Sequence, residues 1–416
     1  MRRIAVGALS AALLGPMQVP VALGATSVSS PTSAVQPRPT RGAASPAAAV
    51  SCSARLGDLR SAGTTEPWAE RVLGFRAAWT FTAGRGQRVA VVDSGVSSTT
   101  QLAGRVSPGQ SLTGTDAGLD CQGHGTGVAG IIAAAPERGN PFVGVAPAAQ
   151  ILSIKVTDQE GVNASYLAQG IVDAVNEGAG VINVSDQVGD TPELRQAVTE
   201  ALRNDVVIVA AAGNADQTTG SAGPFYPANY AGDPAAYPNV VSVGAVDPNG
   251  TVPDFAKLVK TVVSVVAPGA GIVTVAPGDT FKQQDGTSFA APFVAGVAAL
   301  VRAAHPRLTA AEVVSRVTAT ADGGTVAGTG AGLVNPLQAV TAVLPGESQV
   351  VTPEPARSPS TVAIDRAPAS DRFGRMLVAS IAGGALGAAA LVIAGAAIVP
   401  AGRRRGWKPG RRNEES

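Results

Sequence analysis

The chain has 416 residues, 45% hydrophobic and only 15% charged, with a formal net charge of +1. That charged fraction falls well short of the roughly 25% of an ordinary soluble domain, so part of the chain reads as lipid-embedded or low-complexity. The near-neutral balance excludes a global attraction to nucleic acid or another polyanion.

In chain order, Arg2 and Arg3 precede an apolar run from Ile4 to Leu14 and small residues at Ala22, Gly24 and Ala25. A basic start, a short apolar stretch and small residues describe a secretory signal peptide over 1–25, the alternative being an uncleaved anchor. Residues 26–66 follow as a flexible extension, almost entirely Ala, Ser, Thr, Pro, Val and Gly as far as about residue 50. Such sequence buries too little apolar surface to offset the entropy of ordering. Cys52 and Cys121 are the only cysteines. In an exported chain an even pair reads as one disulfide, against the alternative of two unrelated thiols.

From about Pro67 short β-branched runs alternate with amphipathic or Ala-rich stretches. Strands are predicted at 88–92, 151–156, 181–185, 206–211 and 240–246. Helices are predicted at 127–135, 165–177, 192–203, 290–304 and 310–320. Fully apolar strands alternating with helices predict an α/β domain over 67–344, its mostly parallel sheet covered on both faces. Residues 345–371, rich in Pro, Ser, Thr and Glu, read as a linker. Met376–Pro400 then carries no charge, enough for one transmembrane helix within 372–400. Arg403, Arg404, Arg405, Lys408, Arg411 and Arg412 follow, so the tail 401–416 is predicted cytoplasmic and the large domain outside the cell membrane. The spacing Gly383-x-x-x-Gly387 inside the span arises readily by chance in a Gly/Ala-rich segment.

Three segments set a reactive polar group beside glycine at an element boundary. VVDSGV ends a buried strand at Asp93, where parallel sheets open their ligand crevice; alone it is also a common turn residue. GHGTGVAG places His124 at a helix start between glycines that allow close approach, whereas His305, the other histidine, precedes Pro306 at a helix end. DGTSFAAPFVAG puts Ser288 at another helix start, where an N-cap is the plain reading. The trio outweighs it: a serine hydroxyl attacks only when an imidazole takes its proton, and a carboxylate must hold that imidazole. A fourth segment, AAAGN, ends a strand at Asn214, whose amide can donate to an oxyanion.

These motifs, in the order Asp, His, Asn, Ser, resemble the subtilisin-like serine peptidases over about residues 67–344. The resemblance implies a three-layer fold. It makes Asp93 the residue that orients the imidazole and His124 the base and then acid. Ser288 is then the nucleophile, and Asn214 with the Ser288 N–H the oxyanion donors. It places Ser185, Asp186 and Gly213 along the substrate cleft. With a signal peptide, one membrane span and a cysteine just before GHGT, the chain is similar to the mycosins, membrane-anchored subtilases of type VII secretion systems. Implied partners are a polypeptide substrate, the membrane through one C-terminal helix and the secretion complex, with no nucleic acid. The alternative is a subtilase fold kept mainly as a structural subunit of that complex. No cofactor is expected, and no carboxylate cluster has a calcium spacing, so no metal is expected. Three features depart from the family: Ser94 after Asp93, Asp186-Gln187 where an apolar residue and Gly are usual, and the apolar run FAKLVKTVVSVV at 255–266. The extension shows no patterned elements of a folded inhibitory propeptide.

Overall fold

The computed structural model describes residues 54–215, 223–257, 259–323, 326–345, 402 and 404–406. The predicted signal peptide, the transmembrane helix, Cys52 and nearly all of the linker and tail lie outside the described residues. Among those described, the only helix long and apolar enough to cross a bilayer is Thr287–Ala304, and it is a core helix.

The strands are β1 (Arg88–Asp93), β2 (Val106–Ser111), β3 (Gln150–Lys155), β4 (Val181–Val184), β5 (Val207–Ala211), β6 (Val240–Val246), β7 (Val265–Pro268), β8 (Ile272–Ala276), β9 (Thr280–Gln284), β10 (Asp322–Gly323) and β11 (Gly332–Leu333). The helices are α1 (Trp68–Leu73), α2 (His124–Ala133), α3 (Ala164–Asn176), α4 (Pro192–Arg203), α5 (Asp254–Lys257), α6 (Thr287–Ala304), α7 (Ala310–Ala319) and α8 (Pro336–Thr341). One sheet runs β10-β11-β7-β6-β5-β4-β1-β3-β2, parallel except at β10–β11, and β8–β9 form a separate antiparallel hairpin.

Strand side chains alternate between two cores, as the period of two requires. Val89, Val91, Val207 and Val209 face one side, packed with Val128 and Ile131 of α2 and Val294 and Val297 of α6. Ala90, Val92, Ile208 and Ala210 face the other, with Leu167 and Ile171 of α3 and Leu194 and Val198 of α4. Both faces are dry, which is why these strands read as unbroken apolar runs. From β1 the chain passes to the edge strand β2, comes back to β3 beside β1, then crosses to the opposite side of β1 for β4. That reversal opens a crevice at the C-terminal ends of β1 and β4, where α/β sheets bind ligands.

Two sequence readings change. The run 255–266 is apolar because its end enters β7: Val265 and Val266 are buried in the sheet, and Val263 packs on Gly244 of β6. Residues 54–61, expected to be flexible, lie against the domain instead. Leu59 and Phe281 of β9 exchange backbone hydrogen bonds of 3.0 and 2.9 Å, and Gly57 N donates to Thr280 Oγ1 at 2.7 Å. A side chain at Gly57 would meet the Phe281 carbonyl oxygen at 2.1 Å, so close pairing there needs glycine.

Ile182 is fully buried at the centre of β4. Ile182→Ala should cost about 2–5 kcal/mol, through lost burial and the cavity left behind. Urea unfolding of the full chain should show a lower midpoint at an unchanged slope; an unchanged midpoint would contradict this packing.

Candidate functional site

Asp93 is the last residue of β1 and is 1% exposed. Its Oδ1 lies 2.7 Å from His124 Nδ1 and accepts from Ser94 N at 2.7 Å and Ser94 Oγ at 3.1 Å. The approach is possible because residue 125 is glycine: a side chain there would sit 2.2 Å from Gly95 O and 3.1 Å from Asp93 Oδ1. His124 opens α2, and with Nδ1 engaged its Nε2 is left for the cavity. The ring of Phe289, next to Ser288, meets the imidazole edge-on at 5.0 Å between centroids.

What holds the start of α2 is a residue that sequence reasoning passed over. Asp120 is fully buried. Its Oδ1 accepts from Ser94 Oγ (2.8 Å), Gln122 N (3.0 Å) and Gly123 N (2.8 Å). Its Oδ2 accepts from Thr126 N (2.8 Å) and Thr126 Oγ1 (2.7 Å). The carboxylate thus takes up the free N–H groups of a helix start, and an acid shortly before a helix was the available signal. Burial pushes its carboxyl up, the Thr126 hydrogen bonds pull it back, and the negative charge of Asp93 adds to the rise. The loop before it is pinned from β3, where Ser153 Oγ donates to Ala117 O at 2.6 Å and the buried Lys155 Nζ to Leu119 O at 2.5 Å.

Ser288 lies in the first turn of α6, after Gly286 with φ 144°. Pro292 lacks the N–H that would bond the Ser288 carbonyl four residues earlier. Ser185 Oγ donates to that carbonyl instead at 2.8 Å, and itself accepts from Asn183 Nδ2 at 2.9 Å. The hydroxyl of Ser185 is therefore engaged in holding the serine turn. Asn214 follows β5. Its Oδ1 accepts from Thr287 N at 3.0 Å and Thr287 Oγ1 at 3.1 Å, which fixes the amide flip and leaves Nδ2 as the outward donor. Gly213 is covered rather than open: a side chain there would meet Phe225 Cδ2 at 2.0 Å and Gln187 Oε1 at 2.6 Å. Gln187 Oε1 also accepts from Asn214 N at 3.0 Å.

Asp93, His124, Ser185, Asp186, Asn214 and Ser288 all line one cavity of about 240 Å³. Burial pulls the His124 imidazole down, but Asp93, by charge and hydrogen bond, and then Asp186 and Asp120 outweigh it, so the net shift is upward from 6.5. Asp186 is pushed up to about 7, first by burial and then by the charge of Asp93, with His124 acting against both. Cys121 is not a free thiol. Among the described residues no group of three or more His, Cys, Asp or Glu could hold a metal ion.

Asp120→Asn offers one acceptor oxygen where two are used, leaving at least one buried donor unpaired at a cost of about 1–3 kcal/mol. Amide hydrogen exchange at Gly123 and Thr126 should quicken; unchanged exchange there would contradict the role given to Asp120.

Comparison with known proteins agrees with this geometry. The subtilase family profile matches residues 84–338. Mycosin-3 of Mycobacterium tuberculosis is 36% identical over 339 residues, 67% of this chain and 72% of that protein. The structure of the MycP3 protease from the type VII (ESX-3) secretion system aligns with a TM-score of 0.58 at 33% identity, covering 70% of this chain and 92% of that one. A chain of the intact ESX-5 inner membrane complex aligns at 0.60 and 30% identity, covering 84% of this chain and 94% of that one. The chain belongs to the subtilase family of serine peptidases, with mycosins among its relatives.

Proposed function

We propose that this protein is a membrane-anchored serine endopeptidase whose catalytic domain works on the extracytoplasmic side of the cell membrane. The observation that carries the reading is the convergence of Asp93, His124, Asn214 and Ser288 on one cavity, with His124 Nδ1 2.7 Å from Asp93 Oδ1. His124 Nε2 takes the proton of Ser288 Oγ as that oxygen attacks the scissile carbonyl carbon. Asp93 holds the tautomer and balances the imidazolium that forms. The oxyanion receives hydrogen bonds from Asn214 Nδ2 and Ser288 N–H, at the positive end of α6. His124 then protonates the leaving amine, and water releases the acyl group by the same steps in reverse.

The anchoring rests on sequence: a signal peptide at 1–25, a span within 372–400 and a basic tail at 401–416. A Cys52–Cys121 disulfide fits the absence of a free thiol at Cys121, and Arg55 N donates to Cys121 O at 3.3 Å. Relatives named for type VII (ESX) secretion support substrates among the secreted proteins of such a system. A second reading, a structural subunit of the secretion complex, is favoured by the alignment with a chain of the ESX-5 inner membrane complex. Complementing a deletion with Ser288→Ala separates the two: rescued secretion supports the scaffold, and failure at normal protein levels supports catalysis.

Three outcomes test the chemistry. A fluorophosphonate should label the wild-type chain and not Ser288→Ala; a folded wild-type chain that never labels would overturn the proposal. Asn214→Ala should lower kcat by about 10²–10³-fold, the range established for this donor in subtilisin. His124 must be neutral to act as base, and its pKa is raised, so kcat/KM should climb with pH through a limb above 6.5. Asp186→Asn removes a neighbouring negative charge and should move that limb down by a few tenths to about one unit; a limb that stays put would show that Asp186 does not act on His124.

A further inference from the structure

The cavity at the triad holds a carboxylate that the hydrolytic steps do not use. Asp186 follows β4, on the wall along which an extended peptide would run, and is only partly exposed. Its Oδ2 is shut off from solvent and meets no hydrogen-bond donor. A second acid, Glu160, stands exposed on the same cavity. Among the described residues no lysine or arginine lines it. An unpaired carboxylate held partly out of water is costly unless a cation or a donor reaches it. Among the described residues none donates to Asp186 Oδ2: His124 is committed to Asp93, and Gln187 turns its carbonyl oxygen to Asn214 N.

We infer that Asp186 is a specificity-determining residue, selecting peptides that carry a lysine or arginine side chain on the acyl side of the scissile bond. This rests on the peptidase reading and deepens it. A bound ammonium or guanidinium would sit beside the partly exposed Asp186 and offset its negative charge, and Glu160 would add to the field at the cavity mouth. An acidic side chain at the same substrate position would be repelled by Asp93, Asp186 and Glu160 together.

The test uses the full chain carrying Ser288→Ala, so that binding is read without cleavage, and fluorescent peptides that differ at one position. Each position from the first to the fourth before the scissile bond carries lysine, norleucine or glutamate in turn. At one position lysine is expected to bind at least about tenfold more tightly than norleucine, equivalent to about 1.4 kcal/mol, and glutamate more weakly than both. Asp186→Asn and Asp186→Leu should bring the lysine-to-norleucine ratio close to one, while Asp186→Glu should keep most of it. Thermal unfolding of each variant identifies any that fails to fold, and three substitutions leave at least one readable. Equal binding of lysine and norleucine peptides at every position would overturn the inference, as would a preference unchanged in Asp186→Asn. Failure of the peptidase reading shows separately, as a wild-type chain that binds peptide and takes up no fluorophosphonate.

Discussion

The site depends on one contact, the 2.7 Å approach of His124 Nδ1 to Asp93 Oδ1. It joins the end of a central strand to the first residue of a helix, so strand and helix must both be held to within a few tenths of an ångström. The sheet fixes Asp93, since β1 is flanked by β3 and β4 and buried on both faces. Asp120 fixes His124 by gathering the N–H groups of the turn before and inside α2, and through Ser94 Oγ it also touches the residue after Asp93. The same carboxylate therefore ties both partners of the contact together. The serine turn is secured independently, by the Ser185 hydroxyl on the carbonyl that Pro292 leaves unpaired.

Much of this arrangement was legible in the sequence because the residues that meet at the cavity sit in short motifs whose local chemistry is self-sufficient. A strand ending in Asp-Ser-Gly, an imidazole between glycines and a serine opening an Ala-rich helix each announce themselves within a few residues. The central strands were legible for a similar reason, since burial on both faces removes polar residues from them. β2 was not: its VSPGQS carries little apolar signal, and its register slips between Pro108 and Ser111. β7 hid inside a longer apolar run, and residues 54–61 hid in an unpatterned mixed segment whose order comes from the distant β9 hairpin. Asp120 was missed because its partners Ser94 and Thr126 converge on it only in the fold.

The electrostatics of the cavity are set by its acids. Asp93, Asp186 and Asp120 all hold the His124 proton more tightly, which in the proposed mechanism would strengthen the ion pair formed on attack but delay the base to higher pH. An apolar residue at 186 would relieve that delay. A carboxylate there makes physical sense if it has a second task, and its place on the cavity wall is what the proposed selection of basic peptides rests on. Catalysis and recognition are then coupled, because a cation bound at Asp186 would also lessen its pull on His124. At Gly213, Phe225 and Gln187 fill the space beside the backbone.

The most direct test of the Asp93–His124 contact is nitrogen NMR of the imidazoles in the full chain, which has only two histidines. The account predicts that His124 keeps its proton on Nδ1, titrates above the ordinary 6.5 and falls back when Asp93 is changed to Asn. A His124 resonance that titrates at or below 6.5 and ignores Asp93→Asn would contradict it.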